Sequence, residues 1–220
     1  MIKLCIFDLD GTLLNTLPTI SYYCNLSLNK YGLKSIDTQR FKYLVGNGAK
    51  VLIEKALDEV RADKEEYFKK VYKFYNEEYD KDVSYLTKPY DGVPEMLLGI
   101  KTLGVTTAVL SNKPHFATEN AVKIMFGELI DTARGGTDKI ALKPSPDAVF
   151  EIIKRQGVKK EECIYIGDTD TDMQTGKNAD LFTIGVNWGF RDEEELYKNG
   201  CDMIVKHPNE IYEYVKNTNK

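Results

Sequence analysis

Hydrophobic and polar positions along the chain follow two rhythms. Ile2, Leu4, Cys5, Ile6 and Phe7 make a nearly unbroken apolar run, the pattern of a strand covered on both faces inside a parallel sheet, and Gly11-Thr12 turns the chain after it. From Leu86 onward short apolar runs alternate with stretches of helical period. They predict helices over 93–103, 116–126, 147–156 and 172–178, the first and third closed by Gly104 and Gly157. They also predict strands over 105–110, near 129–133, and over 163–166, 181–186 and 203–205. Strands alternating with helices of this length imply an α/β fold with a Rossmann-like, doubly wound parallel sheet. Right-handed crossovers then bring every strand's carboxyl end to one edge.

Residues 16–82 depart from that rhythm. Three stripes step at helical spacing: Ile20, Cys24, Leu28 and Tyr31; Leu52, Ile53, Ala56, Leu57 and Val60; Phe68, Val71, Tyr72, Tyr75 and Tyr79. Asp63 followed by Glu66 is a capping-box start for the third helix. The chain therefore divides into an α/β core, residues 1–15 and 83–220, and an all-helical insert over residues 16–82. The aromatic stripe of the third helix could form a ligand platform, but aromatic residues at this spacing are read as packing. No repeat or low-complexity segment is visible, and the polar end over 217–220 is expected to fray.

Composition narrows the partners. Asp and Glu number 34 against 30 Lys and Arg, a formal charge of −4, which argues against nucleic acid or an anionic membrane surface and requires locally placed cations for any anionic substrate. Lys3 and Asp8 interrupt the first apolar stretch and nowhere do eighteen apolar residues run together. No leader or membrane span is expected, and the protein reads as soluble and cytoplasmic. Cys5, Cys24, Cys163 and Cys201 are scattered without a C-x-x-C pair, which suggests neither a zinc site nor a disulfide framework. His115 and His207 each adjoin a proline in a connecting segment and do not read as a catalytic or metal pair.

Chemistry gathers where strands end. Asp8 and Asp10 close the first strand, at the sheet edge where open α/β folds bind ligands, although Asp-x-Asp-Gly alone is also a common solvated turn. Ser111-Asn112-Lys113 follows the next sheet strand and offers a hydroxyl, an amide and a cation ahead of a helix, a set suited to an anion. Lys143-Pro144 precedes another helix. GDTDTD brings Asp168, Asp170 and Asp172 to a further strand end. Carboxylates converging from two strands repel each other, and a divalent cation resolves the repulsion.

In order and position, DLDGT, Ser111, Lys143 and GDTDTD resemble the four motifs of the haloacid dehalogenase-type (HAD) superfamily, and the helical insert resembles its small cap domain. LVGNGAKVLIEKAL, SNKP and KPSPD look like the phosphoglycolate phosphatase branch of that superfamily. The resemblance implies a Mg²⁺-dependent phosphomonoester hydrolase acting through an aspartyl-phosphate on a small phosphorylated metabolite, 2-phosphoglycolate first among candidates. Asp8 would be the nucleophile. Asp10 would protonate the leaving alkoxide and then activate water, while its backbone carbonyl joins Asp8 and Asp168 around Mg²⁺. Lys143, Ser111, Asn112 and the Gly11-Thr12 turn would hold the phosphoryl group. Asp172 would orient Lys143 or a metal-bound water, and Asp170 is loop. Where many relatives carry x-Asp-Ser, this chain has Leu14-Asn15-Thr16, whose Asn and Thr are expected to cap the first insert helix.

Alternatives remain open at this stage. Sugar phosphomutases of the superfamily share the aspartate pair but tend to carry an acidic residue where this chain has Gly167. Nucleotide, pyrophosphate and sugar-phosphate phosphatases share all four motifs, dehalogenases lack the second acid, and a non-enzymatic module would usually have lost a motif residue. In the insert, Gly46-Asn47-Gly48 with Lys50 in the next helical turn is a candidate cradle for a substrate carboxylate, or simply an inter-helix turn. The chain could act as a monomer or a homodimer.

Overall fold

β1 (Leu4–Phe7) is buried at every position because it lies in the middle of the sheet. The structure, a computed structural model, describes residues 1–220. After β1 come β2 (Leu14–Asn15) and the insert helices α1 (Leu17–Lys30), α2 (Phe41–Leu44), α3 (Gly48–Glu59) and α4 (Lys64–Tyr79). The core resumes with β3 (Lys88–Pro89), α5 (Val93–Thr102), β4 (Thr106–Pro114), α6 (His115–Phe126), β5 (Thr132–Gly136) and α7 (Asp147–Gln156). It ends with β6 (Cys163–Gly167), α8 (Asp170–Asn178), β7 (Phe182–Val186), α9 (Glu193–Lys198), β8 (Met203–Val205) and α10 (Pro208–Thr218).

Six strands form one parallel sheet in the order β5-β4-β1-β6-β7-β8, and β2 pairs antiparallel with β3 beside it. Alternate residues of β1 face opposite layers: Cys5 and Phe7 join the apolar cluster that includes α5 and α10, whereas Leu4 and Ile6 pack with Val149 and Ile152 of α7. No helix is long and apolar enough to cross a membrane. All four cysteines are free and buried.

Register explains why the polar strand ends meet. Phe7 lies opposite Val109 on one side and Ile166 on the other. Asp8, Ser111 and Asp168 therefore leave the sheet at the same edge.

Several boundaries differ from the sequence reading, each for a local reason. β4 continues through Ser111, Asn112 and Lys113 to Pro114, but its pairing with β5 is irregular between Leu110 and Pro114, so these three residues bulge off the ladder toward the site. α8 begins at Asp170, not 172, because Thr169 and Asp172 form a reciprocal capping box. β5 lies three residues later than expected, its Gly135-Gly136 end giving no strand signal; a Cβ on Gly135 would fall 2.6 Å from the His115 Cα. Thr16 stands at the N-cap of α1 in helical backbone, and its buried hydroxyl has no partner, so the expected cap is not made. The C-terminus is not frayed: α10 runs to Thr218, and Asn219 accepts from Ile2 N (2.6 Å) and donates to its carbonyl (2.8 Å).

Candidate active site

Asp8 extends β1 by one residue, its N–H bonded to the Ile166 carbonyl at 2.8 Å, which fixes it beside the β6 end. Lys143 Nζ donates to Asp8 Oδ1 and Asp172 Oδ1, both at 2.7 Å. Asp172 accepts further from Tyr165 OH (3.2 Å), Asp168 N (3.3 Å), Thr169 N (3.1 Å) and Thr169 Oγ1 (2.6 Å). That carboxylate is saturated. Asp172 lies close enough to Asp8 and Asp168 to share a cation with them, but five donors leave it no lone pair well placed for one. It is built to hold Lys143.

Asp168 is buried and takes only two donors, Thr12 Oγ1 at 2.7 Å and Phe190 N at 2.9 Å. Two glycines make room for it. A Cβ on Gly11, where φ is +94°, would fall 2.2 Å from Asp168 Oδ2, and one on Gly189 would fall 2.3 Å from Asp168 Cβ. Gly11 thus serves close approach and is not an anion donor, since its own N–H is taken by the Leu14 carbonyl at 2.8 Å.

The electrostatics call for a cation. Asp8, Asp168 and Asp172 cluster within 4.8 Å, and Lys143 is the one cation ion-paired with any of them. Three carboxylates less one ammonium leave a charge of −2 in a buried site. Burial, then the Asp172 charge, pushes the Asp8 carboxyl up to about 7 against the opposing pull of Lys143. Burial, then Asp172 and Asp8, likewise pushes Asp168 well up. A divalent cation on Asp8 and Asp168 removes that excess, and the oxygen-only donor set suits a hard ion.

Ser111 and Asn112 are buried beside Lys143. Ser111 accepts from Lys113 N at 3.2 Å and lines the cleft above Asp8 and Asp10. Asn112, expected to bind phosphate, is fully committed elsewhere. Its Oδ1 accepts from Lys143 N (2.8 Å), and its Nδ2 donates to the carbonyls of Lys143 and Gly46, both at 3.0 Å. It fixes the Lys143 loop to the insert.

The insert roofs a cleft of about 630 Å³, counting its open mouth. Gly46, Gly48, Leu52, Tyr75 and Tyr79 face it. Lys50 does not: Ala49 and Leu52 take the inward face of α3, which leaves Lys50 exposed. Asn47 is also outside the lining and receives a weak bond from Thr171 Oγ1 at 3.4 Å. Of the proposed carboxylate cradle only the glycine backbone faces the cleft.

A profile of haloacid dehalogenase-like hydrolases matches residues 5–186. The chain belongs to that family. This hydrolase is 29% identical over 218 residues to the N-acetylmuramic acid 6-phosphate phosphatase of Pseudomonas aeruginosa, covering 96% of this chain and 93% of that one. It is 30% identical over 217 residues to the phosphoglycolate phosphatase of Aquifex aeolicus, covering 98% and 97%. A crystal structure of a provisionally named phosphoglycolate phosphatase from Lactobacillus delbrueckii subsp. bulgaricus superposes with a TM-score of 0.90 at 29% identity, over 97% of this chain and 98% of that one.

Two residues of this HAD hydrolase's site, and a third that ties the core to the insert, gave no decisive signal in the sequence. Lys113, noted only as a cation after a strand, is buried against Asp10. Tyr79, read as packing, bonds Lys113 through its hydroxyl. Arg191, buried beside Glu195 at 2.9 Å, donates to the Lys42 carbonyl of the insert. Each acts on a partner far away in sequence, which no local spacing announces.

Proposed function

We propose that this HAD hydrolase is a Mg²⁺-dependent phosphomonoester hydrolase working through an aspartyl-phosphate on Asp8, with 2-phosphoglycolate as its substrate. The observation that carries the reading is the −2 charge left around Asp8 and Asp168 beneath a cleft that Asp10, Ser111 and Lys143 also line. The Asp8 and Asp168 carboxylates and the Asp10 backbone carbonyl would hold the ion. When bound, Mg²⁺ neutralises charge on the phosphoryl oxygens and holds them in line for displacement.

The chain's own groups do the rest. A carboxylate oxygen of Asp8 forms a bond to phosphorus while the ester P–O bond breaks, and its electron pair leaves on the alkoxide oxygen. Asp10 gives that oxygen a proton and becomes a carboxylate. It then takes a proton from water, whose oxygen attacks phosphorus as the Asp8–phosphorus link breaks, releasing inorganic phosphate and restoring both aspartates. Lys143, held by Asp172, and the Ser111 hydroxyl bear charge on the transferring oxygens.

The insert acts as a cap that excludes bulk water and shapes the space for the leaving group. Gly167 supports hydrolysis over phosphomutase chemistry, because a Cβ there would fall 2.3 Å from the Asp172 Cβ and leave no room for an acidic side chain. 2-Phosphoglycolate and N-acetylmuramic acid 6-phosphate, which the relatives' names point to, are both phosphomonoesters of alcohols that bear a carboxyl group. Phosphate release from 2-phosphoglycolate, N-acetylmuramic acid 6-phosphate, a nucleotide, a sugar phosphate and pyrophosphate tests the reading, with Asp8→Asn as the blank. Fastest turnover of 2-phosphoglycolate is expected; release from none of them above the blank would overturn the hydrolase reading.

A further inference from the structure

Lys113 is a buried cation to which the chemistry above gives no part. Its Nζ donates to Asp10 Oδ1 (3.1 Å) and Oδ2 (3.3 Å) and to Tyr79 OH (2.5 Å), and lies 4.6 Å from the centroid of the Tyr79 ring. Lys113 is the only side chain that hydrogen-bonds the Asp10 carboxylate. The orientation of Asp10 therefore depends on where that ammonium sits.

Tyr79 is in turn fixed from the insert side. It is the last residue of α4, with its ring between Tyr75 (5.4 Å between centroids) and Tyr23 (5.3 Å). Tyr23 OH donates to the Asp82 carbonyl at 3.1 Å in the connector that leads back to the core. A buried ammonium is costly without partners, and here one partner comes from the core and the other from the insert.

We propose that Lys113 is the positioning residue for Asp10 and that the Tyr79 hydroxyl, supplied by the helical insert, holds Lys113 in place. The insert then contributes directly to proton transfer at the leaving group, besides roofing the cleft. The proposal rests on the reading of Asp10 as proton donor and acceptor. Recognition of a substrate carboxylate by Lys113 is the competing role, and it fits less well. Asp10 already engages the ammonium, and a second carboxylate, Asp80, also lines the cleft.

The test uses the full-length chain with Mg²⁺ and compares Tyr79→Phe, Lys113→Met, their double variant, Lys113→Arg and Asp10→Asn. The substrates are 2-phosphoglycolate, glycerol 2-phosphate, and p-nitrophenyl phosphate, whose leaving group needs no proton. A misplaced catalytic group costs up to ~100-fold. Lys113→Met should lower kcat/KM, which reports formation of the aspartyl-phosphate and not its breakdown, by ~10–100-fold on both alkyl esters and by less than about threefold on p-nitrophenyl phosphate. Tyr79→Phe, which keeps the ring and should fold normally, should shift kcat/KM in the same sense by a smaller factor. Lys113→Arg should recover part of the loss. The double variant should be no worse than Lys113→Met, since the two residues act as one unit.

Equal losses of kcat/KM on all three substrates, while Asp10→Asn still distinguishes them, would overturn the positioning role and leave the Asp10 reading intact. So would additive losses in the double variant, or a loss confined to 2-phosphoglycolate that spares glycerol 2-phosphate. If Asp10→Asn itself lowers kcat/KM on all three substrates alike, the reading of Asp10 as the acid for the leaving group fails and this proposal fails with it.

Discussion

Asn112 donates its side-chain amide to the Gly46 carbonyl across 3.0 Å, joining the bulged end of β4 to the turn between α2 and α3. Two residues on, Gly48 has φ +83°, and a Cβ there would sit 3.1 Å from the Asn112 carbonyl oxygen. Gly48→Ala must adopt an unfavourable left-handed conformation, at ~1–2 kcal/mol, and push the turn off Asn112. The expected result is a fall of ~10-fold in kcat/KM on 2-phosphoglycolate and p-nitrophenyl phosphate alike, whereas exposed Lys50→Ala changes either by less than about twofold. Steady-state kinetics on the two substrates checks this. A loss confined to 2-phosphoglycolate would restore the turn as a carboxylate cradle.

Asp8→Asn keeps the side chain's shape and leaves Lys143 its bond to Asp172. The variant should fold, with a melting temperature within a few degrees of wild type. Phosphomonoester hydrolysis is so slow unaided that loss of the nucleophile should leave no measurable turnover. Residual activity of even a few per cent, measured on protein free of wild-type carry-over, would rule out covalent catalysis through Asp8.

The Asp8 carboxyl, pushed up to about 7 in the absence of a cation, gives stability a pH dependence. Its ordinary value is ~3.9, so the folded chain holds this proton more tightly than the unfolded one. The resulting stabilisation is complete below ~3.9 and is lost as pH rises through about 7. A divalent cation needs the ionised carboxylate and must displace the proton at lower pH. Mg²⁺ at ~100 times its Kd should raise the melting temperature by ~5–10 °C at pH 8 and by clearly less at pH 5.5. Thermal melts with and without EDTA test this; an equal shift at both values would remove Asp8 from the metal site.

Gly11→Ala isolates Asp168. The added methyl would fall 2.2 Å from a carboxylate oxygen, so Asp168 must move. Both phosphatase activity and the Mg²⁺-dependent rise in melting temperature should disappear, although Asp8, Asp10 and Lys143 are unchanged. If the thermal shift survived, Asp168 would not be a ligand.

The middle of the sheet was legible in the sequence because β1, β4, β6 and β7 are buried on both faces and read as plain apolar runs, whereas the edge strand β5, half-buried and ending in two glycines, is put three residues too early by the sequence. The strand ends Asp8, Ser111 and Asp168 were legible because register carries successive carboxyl ends to one edge. α10 was not, since only Pro208, Ile211 and Val215 among its eleven residues are buried. Asn112 was legible as a polar residue near the site but not as a brace, because its partners, Gly46 and Lys143, lie 66 and 31 residues away. Tyr79 was hidden by the rhythm that revealed its helix: a stripe at helical period marks the buried face without saying which hydroxyl on it meets a cation.

Trp188 is the chain's only tryptophan, and its indole N–H donates to the Thr12 carbonyl at 3.0 Å. Thr12 bonds Asp168 through its hydroxyl, and Phe190, two residues after Trp188, bonds Asp168 through its N–H. The protein therefore carries a single indole, selectively excitable over its tyrosines, wired to a carboxylate of the candidate metal centre. Its emission should shift as Mg²⁺ is titrated in and stay flat in Gly11→Ala, an optical gauge of site occupancy that needs neither substrate nor label.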